Sequence, residues 1–277
     1  MGTRAKSAVL SALIALVLAL AWHIGTLPKG PQAAGVDPEY AKLMGLDKPK
    51  GDGLPTLAEV GATAWKQVSD PFYDAGSNDK GIGIQLAYSL GRVGLGFVLA
   101  ALVAIPLGFV IGLSPVAHGA LNPFIQVLKP ISPLAWMPLA LYTIKDSTTS
   151  SIFVIFICSI WPMLINTAHG VASVRRDWLN VARTLEAGTV RTAFQVILPA
   201  AAPTILTGMR ISMGIAWLVI VAAEMLVGNL GVGYFVWNEW NNLSLSNVIF
   251  AIALIGVVGM LLDLAFGWAQ RAVTYAE

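Results

Sequence analysis

Charge is what this sequence has least of. Only 12% of its 277 residues are charged, against about a quarter in an ordinary soluble domain, while 56% are hydrophobic. Mean hydropathy is +0.73. That scarcity excludes a water-soluble fold and places the chain in lipid. A net charge of only +2, with no basic block interleaved with aromatics, excludes nucleic acid as a partner. There is a single cysteine, Cys158 in "SIFVIFICSI", so neither a disulfide framework nor a cysteine-rich metal site is possible within one chain. Cys158 reads as a small buried hydrophobe. The three histidines, His23, His118 and His169, fall at the ends of apolar runs with no second histidine at ligand spacing, and no metal site is expected. A phosphate loop of the form G-x-x-x-x-G-K-[ST] is also missing, so the chain cannot hydrolyse a nucleotide by that mechanism. The nearest look-alike, "GNLGVG", lacks the lysine, follows an apolar run and reads as a turn. With no nucleophile-base pair or cofactor motif, no catalytic residue and no bound cofactor are expected.

What is present in abundance is long hydrophobic runs. Ser7 to Pro28, Val93 to Leu128, Ser147 to Val174, Ile211 to Ala223 with its flanks, and Trp240 to Leu262 approach or exceed the roughly 20 residues that cross about 30 Å of hydrocarbon as helix. Glycine and proline recur inside them, which is tolerated where neighbouring helices re-satisfy the freed backbone groups. The expectation is an all-α membrane protein with about six transmembrane helices. The first run, flanked by Arg4 and Lys6, is read as a retained span, because it is too long for most signal peptides. Cleavage near "QAAG" is the alternative. The remaining spans centre near Ala100, Trp136, Ile157, Ala216 and Ile255, with "SPVAHGALNP" and "KDSTTS" as short turns between them.

Residues 29–80 are the one long polar stretch. Within it Thr56 and Glu59 stand at capping-box spacing before Leu57, Val60, Ala64 and Val68 on one helical face. That pattern predicts an interfacial amphipathic helix with Trp65 at headgroup level. Cytoplasmic segments are enriched in arginine and lysine. With the N-terminus inside, Arg4, Lys6, Arg175, Arg176, Arg183, Arg191 and Arg271 all fall on that side. Trp22, Trp237 and Trp240 suit interfacial belts.

The cytoplasmic stretch "RRDWLNVARTLEAGTVRTAFQVILP" then interrupts the apolar runs. Asp177 is the expected N-cap, Trp178, Val181, Ala182 and Leu185 form one apolar face, and Gly188 supplies a left-handed C-terminal residue. A second helix runs from Thr189 through Phe194 and Ile197 until Pro199 breaks it. The product is a bent platform of two short helices, or an amphipathic hairpin lying on the inner lipid surface.

Four ionisable residues within or beside spans, Arg92, Arg210, Glu224 and Asp263, each need a partner. Arg92 and Arg210 lie toward span ends, as anchors or pairs. Glu224 sits deep, in a structural pair or a gate, and is not expected to ligate an anion that its charge would repel. "KPISPLAWMPL" concentrates Pro130, Pro133 and Pro138 in one span, which leaves backbone carbonyls unbonded unless they face protein or water. This broken span is expected to line a translocation path. Lys129 beside it suits an anion or the headgroups equally. Gly108 and Gly112 permit close helix packing, within the chain or between copies.

At this point the sequence resembles a known family, the membrane-spanning subunits of ATP-binding cassette importers with the type I permease fold. The likeness covers roughly residues 84–270. Counting back from Ile197, Leu198 and Pro199, the family's Glu-Ala-Ala loop positions fall on Asn180, Val181 and Ala182, of which only the last matches. The family's glycine falls on Glu186, a departure, with Gly188 two places later to make the turn. "SLGRVGLGF", "KPISPLAWMPLAL", "LPAAAPTILTGMRIS" and "AWLVIVAAEML" resemble the branch that imports nitrate, bicarbonate, cyanate, taurine and other sulfonates. "DPFYDAGSNDKGIG" and "GVGYFVWNEWNN" look most like its nitrate and bicarbonate permeases.

The resemblance implies that the bent loop, with Asp177, Val181, Ala182, Arg183, Leu185, Glu186, Ala187 and Gly188, couples to a separate ATPase. The translocation path would include Pro130, Pro133, Trp136, Met137, Pro138, Glu224 and Met225. It implies a non-catalytic permease in a bacterial inner membrane with both termini cytoplasmic. Its partners would be a second permease copy, two cytoplasmic ATPase subunits that use ATP and Mg, and a periplasmic anion-binding protein. The corresponding division is a first span at 1–28, a periplasmic loop at 29–83, the permease domain at 84–270 and a tail at 271–277. A gradient-driven transporter with Glu224 or Asp263 as proton site is the alternative, although the internal repeat usual in such proteins is not evident.

Overall fold

The computed structural model describes residues 3–26, 54–76, 79–228 and 230–273. Most of the long polar segment, "QAAG" included, lies outside them. The described chain is helical, with one isolated bridge between Asp74 and Lys80. In order the helices are α1 (Thr3–Gly25), α2 (Leu57–Ser69), α3 (Ile82–Leu113), α4 (Pro115–Leu128), α5 (Pro133–Ile144), α6 (Ser147–Ala172), α7 (Arg176–Thr184) and α8 (Thr189–Thr192). A π-helical segment (Ala193–Ile197) follows, then α9 (Leu198–Val227), α10 (Val232–Asn241) and α11 (Leu245–Val273). Five helical stretches are long and apolar enough to cross a membrane, and the bent pair α4–α5 makes a sixth if counted as one span.

Two compact units are present, one of residues 1–71 and 238–252, the other of residues 72–237 and 253–277. In the first, the capping box forms as the sequence predicts: Glu59 N–H donates to Thr56 Oγ1 and the Thr56 N–H to Glu59 Oε2. Trp22 Nε1 donates to the Pro55 carbonyl at 3.1 Å, tying α1 to the residues just before α2. Trp65 is exposed. Gln67 Nε2 reaches Asn247 Oδ1 at 3.4 Å, and Asn247 Nδ2 donates to Glu239 at 2.7 Å.

In the second unit, α6 packs against both α3 and α9. The α3–α6 seam is close because it has glycines: a Cβ on Gly108 would lie 2.6 Å from Thr167 Cβ, and one on Gly112 2.6 Å from the Ala168 carbonyl oxygen. The small-residue spacing at these positions therefore serves packing within the chain. Val93, Phe97, Ile155, Met163, Leu164, Ala216 and Ile220 fill the core. α11 contributes from residue 253 onward through the Phe97–Phe266 edge contact and the Trp217 Nε1 bond to the Ile255 carbonyl at 3.0 Å.

Three expectations change at the prolines. "SPVAHGALNP" is helix, not turn. Ser114 caps α4 by accepting the Ala117 N–H at 3.2 Å, and Pro115 sits in the first turn, where its fixed φ suits a helix start and its missing N–H costs nothing. The span expected around Trp136 is instead two helices, α4 and α5, bent by 92° across Lys129–Ser132: Pro130 cannot continue the ladder of α4, and Pro133 opens α5 in its first turn.

Pro199 does not end a helix either. Residues Thr189–Val227 form one continuous 39-residue helical stretch. The π turn just ahead of the proline, with the Leu198 N–H bonded to the Ala193 carbonyl, shifts the ladder by one residue where Pro199 has no N–H to give.

Candidate functional site: an apolar elbow and a buried ion pair

The elbow is built by α7, the turn Leu185–Gly188 and α8. Its N-cap is Arg175, without a side-chain cap bond, and Asp177 lies within the first turn rather than at the cap. There it favours the helix dipole and meets Arg175 at 3.4 Å in an exposed pair worth little on its own. The left-handed residue is Glu186, φ 54°, while Gly188 has φ −59° and begins α8. The Ala187 N–H bonds to the Ala182 carbonyl and the Glu186 N–H to the Arg183 carbonyl, both at 3.0 Å. These two bonds make a Schellman ending with glutamate where glycine is usual. The left-handed residue expected at Gly188 therefore stands two places earlier, at the position where the family's glycine falls.

Of the expected apolar face, Ala182 is buried at 5% exposure, whereas Trp178, Val181 and Leu185 are exposed at 46%, 59% and 75%. Val190 and Phe194, beyond the turn, are exposed as well. Arg183, Glu186 and Gly188 are exposed beside them and Ala187 is half-buried. Several large apolar side chains thus stand uncovered on a short helix whose sequence is otherwise polar.

At the far end of the same continuous helix stands Glu224, 1% exposed. Arg92 Nη1 donates to its Oε1 at 2.8 Å, the Ser89 hydroxyl to its carboxylate at 2.8 Å from Oε2, and the Gly233 N–H to Oε2 at 3.0 Å. Arg92 also donates to the Leu230 carbonyl, and Ser89 accepts the Val232 N–H at 2.9 Å. One carboxylate thus fastens α3, α9 and the turn into α10. Arg92 lies well inside α3 rather than toward its end, and its Nε, buried, has no hydrogen-bond partner. The partners Ser89, Leu230, Val232 and Gly233 were not anticipated from sequence. The available signal was "GVG" just after Glu224, which the sequence reading treats only as a turn.

Arg210 pairs with Asp263, Nε to Oδ1 at 2.6 Å, and both remain partly exposed. Arg92 and Arg210 are therefore each neutralised by a carboxylate. Of the other expected path residues, Met137 is in the core at 1% exposure, Trp136, Pro133 and Met225 are half-buried, and Pro130 and Pro138 are exposed. Among the described residues no group of His, Cys, Asp and Glu is placed to hold a metal ion.

Several membrane-length helices around a seam of glycines, with one uncovered elbow between two of them, define a polytopic membrane protein. Residues 104–275 match the family described as "Binding-protein-dependent transport system inner membrane component", and the chain belongs to that family. It is 44% identical over 228 residues to the "Nitrate import permease protein NrtB" of Synechocystis sp., covering 82% of this chain and 83% of that one. It is 43% identical to the "Bicarbonate transport system permease protein CmpB" of the same organism, covering 73% of each. The "Taurine transport system permease protein TauC" of Escherichia coli is 36% identical, covering 68% of this chain and 69% of the relative. In fold the chain is similar to an inward-facing structure of the MetNI methionine ABC transporter, with TM-score 0.61 and 14% identity, covering 68% of this chain and 94% of that one.

Proposed function

We propose that the chain is the permease subunit of an ATP-driven importer for a small planar oxyanion, nitrate first and bicarbonate second. The observation that carries the choice is the 44% identity over 82% of the chain to a nitrate import permease. The similar figure for a bicarbonate permease keeps the second substrate in view. Two copies of the chain form the path, two ATPase subunits supply ATP and Mg chemistry, and an external binding protein delivers the anion. The chain sits in an inner membrane with both termini cytoplasmic and binds no cofactor of its own.

Mechanically, Trp178, Val181 and Leu185 would enter a groove on the ATPase, with Arg183 and Glu186 at its rim. The 39 residues from Thr189 to Val227 span about 58 Å at helical rise. Displacement at the elbow is thereby carried along one helix toward the Glu224 cluster. Pro199, Pro203 and the π segment are the compliant points of that rod. Closure of the ATPase pair would tilt α9 and, through Glu224, draw α3 and the turn before α10 with it. The path residues expected around α5, from Pro133 to Pro138, would then be exposed alternately to either side.

The test is uptake of labelled nitrate into proteoliposomes by the complete complex. Uptake should require ATP and should fail when Leu185→Asp prevents the ATPase from co-purifying with a still-folded permease. Nitrate entry at full rate without nucleotide, or unaltered ATPase association in the variant, overturns the reading.

A further inference from the structure

α4 does not close on α6. Between them, at the elbow end of the bundle, lies a cavity of about 780 Å³ whose floor is Ile111 and Gly112 of α3. Its polar side is His118, Asn122 and Gln126 of α4, Lys129 just beyond it and His169 of α6, all but Asn122 exposed. Every one of these side chains is a hydrogen-bond donor or can become one. None of the residues around the cavity is an aspartate or glutamate.

Arg92 and Arg210 are each held by a carboxylate. Lys129, His118 and His169 are not ion-paired among the described residues. Lys129 thus brings to the cavity a formal positive charge with no carboxylate partner among the described residues, next to apolar walls that strengthen its field. One amide hydrogen of Gln126 is spent on Asn122 Oδ1 at 3.5 Å, and a long, weak bond of that kind is readily exchanged for an anion.

We propose that this cavity is an oxyanion site, in which the Lys129 ammonium, the two imidazoles and the two amides surround an acceptor-only ligand together with water. The volume far exceeds that of one trigonal anion, so the ligand is held hydrated, as transit requires, rather than stripped and trapped. The site deepens the importer reading and rests on it for the choice of nitrate as ligand. A phospholipid phosphate carries the same chemistry, and basic pockets between membrane helices also take headgroups.

The experiment places a thiol in the wall, Gln126→Cys in the complete complex, and compares its modification by an anionic and a cationic methanethiosulfonate of similar size. The anionic reagent is expected to react roughly tenfold faster than charge-independent reactivity allows. Nitrate should slow both reagents, and adding Lys129→Gln with His169→Gln should abolish the preference. In bilayers with and without phosphatidylglycerol, protection that needs the anionic lipid and ignores nitrate identifies the headgroup as occupant and overturns the transit role. Equal rates for the two reagents, or no protection by either anion, overturn the site altogether. ATP-driven nitrate uptake by the wild-type complex is measured in parallel. Its absence would sink the importer reading, whereas uptake alongside charge-blind labelling sinks only the cavity proposal.

Discussion

Arg92 Nη1 lies 2.8 Å from Glu224 Oε1, and the two side chains are 7% and 1% exposed. A buried pair adds little net stability over an apolar packing, but removing one partner strands the other charge at a cost of about 3–5 kcal/mol. Glu224→Ala should therefore lower the melting midpoint of the detergent-solubilised chain by roughly 2–4 °C per kcal/mol. The double variant with Arg92→Leu should recover part of that loss. A Glu224→Ala chain that melts with the wild type would remove the clamp from the account.

Gly231 extends the same cluster. A Cβ there would fall 2.1 Å from Glu224 Cδ, at a backbone φ of 156°, so Gly231→Ala must displace the carboxylate or the turn. Loss of stability comparable to Glu224→Ala is expected, read by the same melt. Gly119→Ala is the control, because nothing lies within 4 Å of a Cβ at that helical position. It should be neutral or stabilising by up to about 1 kcal/mol, the helix preference of alanine over glycine.

At the elbow, Glu186 pays for a conformation that glycine adopts freely. Its φ of 54° costs an L-residue about 1–2 kcal/mol, part of which glycine would return as extra freedom in the unfolded chain. Glu186→Gly should raise elbow stability by roughly 1 kcal/mol, measured as slower amide exchange across Arg176–Thr184. Gly188→Ala, at φ −59° with open space around its Cβ, should leave exchange unchanged. The opposite ranking would reassign the turn to Gly188.

These contrasts mark how far the sequence could be read. The spans, the capping box at Thr56 and Glu59, and the need of Glu224 for a partner follow from hydropathy, spacing and the cost of charge in hydrocarbon, all local quantities. The choice of Arg92 for Glu224 depends on helices 132 residues apart in sequence coming together, which no spacing rule encodes. Proline was the least legible residue. Pro115 and Pro133 each start a helix, Pro130 follows the end of one, and Pro199 is absorbed by a π turn. The outcome depends on whether a cap such as Ser114 or a shifted ladder takes up the missing N–H. The polar cavity was invisible because His118 and His169 belong to different helices.

The last prediction concerns Asp146, which lies just outside α6 and caps it. Its Oδ2 accepts the Thr149 hydroxyl at 2.6 Å and the Thr149 N–H at 2.7 Å. The hydroxyl bond first, and the backbone bond second, hold this carboxyl below the usual aspartate value. A group whose folded value is depressed contributes stability that is fully present above the unfolded value and is lost as pH falls through the folded one. The cap should therefore be intact at neutral pH and weaken only below about pH 4, the ordinary aspartate range. Amide exchange at Thr149 and Ser150, followed as pH is lowered and corrected for intrinsic rates, should show protection falling there. In Asp146→Asn, which can still accept from the Thr149 N–H but has no carboxyl to titrate, that step should disappear while the helix persists. A wild-type chain whose protection at these two amides does not change through the acid range would show that the carboxylate bonds contribute nothing to starting the helix.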